Sequence, residues 1–228
     1  MFFAGFQKLT LLDYPEKVAC ILFTMGCNFC CPFCHNASLV RAEEKAEISE
    51  EEVLSFLEKR KGVMDGVCIS GGEPLLYDGL GDFIKKVKAL GYSVKLDTNG
   101  SFPERLKALV REGLVDYVAM DIKNSFEKYP LTAGIDVNCN NIKESIDFLI
   151  SGETEYEFRT TLVKELHTDE DIDSIGKMIK GAKRYFLQNF VDSGDVLCEN
   201  MHPLADDEIE NMKQIAKNYV PNTICRGM

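Results

Sequence analysis

Short β-rich apolar runs alternate with amphipathic helical stretches along this chain, and that alternation limits its fold more than any other feature. Val18 to Phe23 is apolar throughout, as in a strand buried on both faces. Further strands read at 66–70, 93–97, 115–121, 156–163 and 185–189. Between them, Leu80, Phe83, Ile84 and Val87 recur at helical spacing before Gly91, and Leu106, Leu109 and Val110 follow a helix-opening Pro103. Ser49 with Glu52 reads as a helix N-cap. The acidic runs Asp169-Glu170-Asp171 and Asp206-Asp207-Glu208 read as helix starts, where the helix dipole favours negative charge. About six β-α units imply an α/β protein with a mostly parallel sheet and right-handed crossovers. That is fewer than a closed (β/α)8 barrel, so a partial (β/α)6 barrel and a doubly wound sheet both fit the pattern.

The 228 residues show no linker or low-complexity stretch, so one domain over 1–228 is expected, with a short leader at 1–17. Lys plus Arg number 26 and Asp plus Glu 37, giving a net charge of −11. That excess of acid argues against nucleic acid as a partner, which requires a basic face. Met1 to Phe6 is apolar but too short and unflanked for a signal peptide, and no run reaches about 18 apolar residues, so no membrane span is expected. A cytoplasmic location follows as the expectation. There thiols stay reduced, and the odd total of nine cysteines does not suit a disulfide framework.

The cysteines concentrate in Gly26-Cys27-Asn28-Phe29-Cys30-Cys31-Pro32-Phe33-Cys34-His35-Asn36, directly after the first core strand. Cys27, Cys31 and Cys34 form C-x3-C-x2-C. Three thiolates so close call for a metal that neutralises them. Zinc would need a fourth ligand, and the only local ones, Cys30 and His35, are immediate neighbours of a ligand. An iron–sulfur cluster is the stronger reading, because three cysteines leave one iron of a [4Fe–4S] cluster open for a ligand. Cys30 is then a spare thiol. Three further segments fall at successive strand ends, where parallel β/α folds gather ligands: Gly71-Gly72-Glu73-Pro74, Asp97-Thr98-Asn99-Gly100 and Asp121-Ile122-Lys123. Singly, each could be a turn or an ion pair. Together, downstream of the cysteine loop, they mark one site.

C-x3-C-x-aromatic-C, with Phe33 as the aromatic, resembles the radical S-adenosylmethionine superfamily. Gly5-Phe6-Gln7-Lys8-Leu9-Thr10-Leu11-Leu12-Asp13-Tyr14-Pro15 narrows the likeness to activating proteins of anaerobic ribonucleoside-triphosphate reductase. Two positions depart from that pattern: Glu16 stands where glycine is usual, and Cys30 where a basic residue is common. The resemblance implies a [4Fe–4S] cluster on Cys27, Cys31 and Cys34, with S-adenosylmethionine chelating the open iron. It places Gly71, Gly72 and Glu73 along the methionyl amino group, and Asp97, Asn99 and Lys123 at the methionine part and ribose. Phe33 would lie near the adenine, and Arg159 is a further contact by position.

It also implies the chemistry: reductive cleavage to a 5′-deoxyadenosyl radical, which takes hydrogen from a glycine of a glycyl radical enzyme. Anaerobic ribonucleotide reductase is the implied partner, and reduced flavodoxin or ferredoxin the electron donor. The alternatives are activation of pyruvate formate-lyase or another glycyl radical enzyme, and small-molecule chemistry like that of 7-carboxy-7-deazaguanine synthase. A non-catalytic iron–sulfur or zinc protein is the rival outside catalysis. Of the histidines, His35 is expected to pack against the cluster or cofactor, His167 to be polar loop surface, and His202 has no assigned role.

Overall fold

The computed structural model describes residues 1–40, 47–192, 194 and 196–226. In chain order its strands are β1 (Phe2–Phe3), β2 (Gly5–Thr10), β3 (Ala19–Thr24), β4 (Ile48–Ser49), β5 (Gly66–Gly71), β6 (Ser93–Thr98), β7 (Tyr117–Asp121), β8 (Glu155–Leu162), β9 (Tyr185–Asn189) and β10 (Thr223–Arg226). Its helices are α1 (Ala37–Val40), α2 (Glu50–Glu58), α3 (Leu80–Ala89), α4 (Pro103–Arg111), α5 (Tyr129–Ala133), α6 (Cys139–Ser151), α7 (Asp169–Met178) and α8 (Asp206–Lys217). One sheet runs in the order β10-β9-β8-β7-β6-β5-β3-β2, and β1 with β4 makes a small antiparallel ribbon. From β3 to β10 every neighbouring pair in the large sheet is parallel; β2 pairs antiparallel with β3 at the edge. The result is an open α/β sheet of mostly parallel strands, and all six expected core strands are in it.

Two sheet strands extend the expected set. Residues 5–10 of the leader form β2, and β10 adds a parallel strand beside β9. Both are short and carry polar residues at an edge, so they lack the apolar run that betrays a central strand.

Strand alternation sorts the side chains. Cys20 and Leu22, Val67 and Ile69, Val94 and Leu96, Val118 and Met120, and Tyr156 and Phe158 enter the main core beneath the helices. The alternate residues face the other side. There Tyr14, Ala19, Ile21, Cys68 and Tyr117 form a second, small cluster at the amino ends of the strands. Higher up the same face, Ser70, Asp97, Asp121, Arg159, Thr161 and Gln188 line a cavity. Apolar residues thus fill one end of this face, and polar ones are held at the carboxyl ends.

The caps follow the sequence. Ser49 Oγ accepts from the Glu52 amide at 3.1 Å, and the acidic runs open α7 and α8. Asp171 there accepts from the Thr168 amide at 2.9 Å and Glu208 from the Ala205 amide at 2.8 Å. The chain between β2 and β3 turns through Glu16 at φ +61°, a left-handed conformation that favours glycine. Among the described residues no helix is long and apolar enough to cross a membrane.

Candidate active site

The cysteine loop leaves β3 at Thr24 and is held from three sides. Gly26 N donates to Leu39 O at 3.0 Å, Cys30 N to Ala133 O at 2.8 Å, and the Tyr77 hydroxyl to Met25 O at 2.7 Å. Cys27, Cys31 and Cys34 line a cavity of about 370 Å³, while Cys30 is exposed. The turn after β5 presses against this loop. Gly72 N donates to Thr24 O at 3.0 Å and Glu73 N to Gly26 O at 2.9 Å. A Cβ on Gly72 would stand 1.7 Å from Gly26 O, so only glycine allows the approach. At the end of α5, Gly134 is pinned likewise: a Cβ there would stand 2.1 Å from Cys30 O, and its φ is +70°. Gly134 thus both ends α5 and meets the cysteine loop, a contact between distant segments that no sequence spacing reveals.

Glu73 is fully buried and accepts from Leu75 N at 3.0 Å, Thr98 Oγ1 at 2.8 Å and Asn99 N at 2.7 Å. Burial raises its carboxyl to about 7 against the pull of these donors. Its side chain braces the end of β5 against the end of β6 and lies outside the cavity lining. Asn99 is equally engaged: Nδ2 donates to Asn28 Oδ1 at 2.9 Å, and Oδ1 accepts from Ser101 N at 2.9 Å. Both residues fasten the strand ends to the cysteine loop.

Across the cavity runs a chain of charges on β6, β7 and β8. Arg159 Nε donates to Asp121 Oδ1 at 2.9 Å, and its Nη1 stands 3.4 Å from Asp97 Oδ2. Lys123 Nζ pairs with Asp121 Oδ2 at 3.0 Å, Lys95 Nζ with Asp97 Oδ1, and Ser70 Oγ donates to Asp97 at 3.1 Å. Burial alone would raise the Asp121 carboxyl, but Arg159 and Lys123 overcome it and hold it down at about 2. Asp97 is lowered in the same way by Arg159 and Lys95. Asp121 in turn keeps both Lys123 and Arg159 protonated despite their burial. Lys123 Nζ also lies 6.0 Å from the centre of the Phe33 ring. The site is therefore ionised and prearranged, with its charges paired in the low-dielectric interior.

Cys27, Cys31, Cys34, Phe33, Gly71, Gly72, Asp97, Asn99, Lys123 and Arg159 line this one cavity; Glu73 stands directly behind it. Asp13, Ser70, Thr161 and Gln188 line it too, beyond the sequence-based set. Strand period would have found Thr161, two residues beyond Arg159; nothing in the sequence spacing brings Asp13 there. His35 stacks on Phe190 with ring centres 5.4 Å apart and 20° between planes. His202 lies exposed against Glu165. The expectation for His167 is corrected: it is 3% exposed, with both ring nitrogens hydrogen-bonded.

Among the described residues no three His, Cys, Asp or Glu side chains converge on a point that a single metal ion would occupy. Cys27, Cys31 and Cys34 lie on one loop and line one cavity, and thiolates are the protein ligands an iron–sulfur cluster takes. Burial pushes the Cys27 thiol up to about 12 and that of Cys31 up to about 11, with Lys123 opposing in both. Such thiols ionise when a cationic cluster takes their protons' place. The donor set and the space fit a cysteine-bound cluster.

Residues 21–179 match the model of the radical SAM superfamily. This chain belongs to that superfamily. A Methanocaldococcus jannaschii protein named as a glycyl-radical enzyme activating enzyme is 33% identical over 98% of this chain and 95% of its own length. The chain thus falls among the glycyl-radical activating members of the radical SAM proteins. The pyruvate formate-lyase-activating enzyme of Listeria monocytogenes is 35% identical over 51% of each chain. In solved structures the fold recurs in a domain of a pyruvate-formate lyase-activating enzyme from Bacteroides vulgatus. There the TM-score is 0.59 and the identity 18%, over 72% of this chain and 99% of that one. It recurs also in Streptococcus suis SuiB bound to S-adenosylmethionine, with a TM-score of 0.70 and 15% identity over 89% of this chain and 48% of that one.

Proposed function

We propose that this radical SAM protein activates anaerobic ribonucleoside-triphosphate reductase by placing a radical on a glycine of that enzyme. The observation that carries the reading is the meeting in one cavity of three thiols from one loop with the Asp97–Arg159–Asp121–Lys123 charge chain. Cys27, Cys31 and Cys34 would hold a [4Fe–4S] cluster with one iron open. When bound, that cluster would supply the one-electron chemistry for reductive cleavage of S-adenosylmethionine, and with it the means of taking a hydrogen atom from the partner's glycine.

The chain's own residues bind and orient. Gly71 and Gly72 offer bare backbone to the methionyl amino group, with Glu73 bracing the turn from behind. Lys123 and Arg159 are the cations for the cofactor's carboxylate side. Asp97 and Asn99 face the methionine–ribose side, and Phe33 the adenine. Reduced flavodoxin or ferredoxin in the cytoplasm would supply the electron. The leader from Gly5 to Pro15 favours the reductase as partner. The likeness to pyruvate formate-lyase-activating enzymes makes pyruvate formate-lyase the second candidate.

The test is electron paramagnetic resonance of the reduced, cluster-loaded protein mixed with S-adenosylmethionine and each candidate partner. A glycyl radical signal on the reductase, lost in a variant of its radical-site glycine, is the expected result. A signal only on pyruvate formate-lyase moves the assignment to that partner. Turnover of a pterin with no protein radical overturns the activating role.

A further inference from the structure

Both ring nitrogens of the buried His167 have assigned partners. The Val163 amide donates to Nδ1 at 3.1 Å, and Nε2 stands 2.9 Å from the Lys123 carbonyl oxygen. The Val163 carbonyl, 3.3 Å from Nδ1, already accepts from the amides of Leu166 and His167. One state of the ring satisfies every neighbour: the neutral imidazole with its hydrogen on Nε2, accepting from Val163 and donating to Lys123.

That bond is one rung of a ladder joining the loop after β7 to β8 and the loop beyond it. Ile122 N donates to Arg159 O at 2.8 Å, and Thr160 Oγ1 to Ile122 O at 2.8 Å. Asn124 Nδ2 donates to Leu166 O at 2.9 Å, and Lys128 Nζ pairs with Asp171 at 2.7 Å. His167 supplies the rung at residue 123, the one whose side chain enters the cavity. A lysine ammonium sits on a stem of four flexible carbons, so its position depends on a fixed backbone origin.

We propose that His167 is a positioning residue: its Nε2–H holds the Lys123 carbonyl and so keeps the Lys123 ammonium against Asp121 and Phe33 in the cofactor cavity. The inference rests on the cofactor reading of that cavity and extends it to a side chain outside the cavity wall.

Two readouts separate this from a merely structural role. The first is competitive reductive methylation read by mass spectrometry, with the exposed Lys143 as internal reference. Lys123 is expected to react far more slowly than Lys143 in the wild type. His167→Phe keeps a planar, somewhat larger ring but loses both bonds, and should speed Lys123 selectively. His167→Gln can still donate to the Lys123 carbonyl and should restore protection. The second readout is equilibrium dialysis of radiolabelled S-adenosylmethionine on cluster-loaded protein with iron content matched. Affinity should fall about tenfold in His167→Phe, the scale of one charge-assisted hydrogen bond, and largely return in His167→Gln.

Equal Lys123 protection and equal affinity in wild type and His167→Phe would overturn the inference. Should the Phe variant not fold, His167→Gln against His167→Asn, one methylene too short for the Lys123 carbonyl, decides in its place. If the wild type fails to bind S-adenosylmethionine, the cofactor reading falls, and the methylation arm still decides whether His167 holds Lys123.

Discussion

Replacing Gly72 by alanine tests whether the turn after β5 and the cysteine loop are one rigid unit. The new Cβ would lie 1.7 Å from Gly26 O and 2.4 Å from Gly26 C, both backbone atoms that no rotamer can move aside. Relief requires the two segments to part by more than an ångström. That breaks the bond from Glu73 N to Gly26 O and strains the one from Gly72 N to Thr24 O. One backbone hydrogen bond lost and one weakened, about 1–2 kcal/mol together, plus overpacking strain of about 1–3 kcal/mol, predict a loss of about 2–5 kcal/mol. Cys27 N lies 3.1 Å from the same Cβ, so the first thiol moves with the loop.

The assay is paired: chemical denaturation of the protein, and iron and sulfide per chain after anaerobic reconstitution. Gly91→Ala is the control, because no atom lies within 4 Å of a Cβ there, and its positive φ of +92°, which Gly72 lacks, is the one cost alanine meets. It should cost about 1–2 kcal/mol from backbone conformation alone and leave iron content intact. Gly72→Ala is expected to lose both stability and iron. A Gly72→Ala protein with wild-type iron and no more destabilisation than the control would refute the argument.

Four further outcomes are expected. Glu16→Gly should stabilise by a few tenths to about 1 kcal/mol, read as a raised denaturation midpoint, because glycine removes the left-handed strain and gives back part of the gain as chain entropy. Arg159→Met should cost about 1–3 kcal/mol by removing the cation that Asp97 and Asp121 share, Lys95 and Lys123 remaining as their partners. Its acid-unfolding profile should also show Asp121 titrating well above about 2. Glu73 titrates in the opposite sense: its folded value is raised from 4.5 to about 7, so its stabilising share is present below pH 4.5 and is lost as pH rises through 7. That rise amounts to about 3 kcal/mol, and Glu73→Gln should flatten the slope of unfolding free energy over this window. Finally, alanine at Cys27, Cys31 or Cys34 should each prevent four-iron reconstitution, whereas Cys30→Ala should not.

Much of this was legible in the sequence because strand and helix periods carry it. The six core strands are apolar on the helix-facing side at every second residue, and the helices bear matching stripes. Three weak motifs became one site once each was placed at a strand's carboxyl end. What escaped depends on contacts between distant segments. Glu73 reads as a ligand beside two glycines, yet donors from β6 and its following loop consume its carboxylate. His167, before an acidic helix start, reads as surface until the loop from β7 brings the Lys123 carbonyl to it. Asp13 reaches the cavity only because β2 carries the leader back beside β3.

Cleavage of S-adenosylmethionine in this cavity, on a cluster held by three cysteines, is what the proposed function requires. Its most direct measurement is 5′-deoxyadenosine, quantified by mass spectrometry after dithionite reduction of the reconstituted protein with S-adenosylmethionine. The wild type should release 5′-deoxyadenosine with an equal amount of methionine, and Cys34→Ala none. A wild-type protein carrying four irons that releases no 5′-deoxyadenosine, or a Cys34→Ala protein that does, would contradict it.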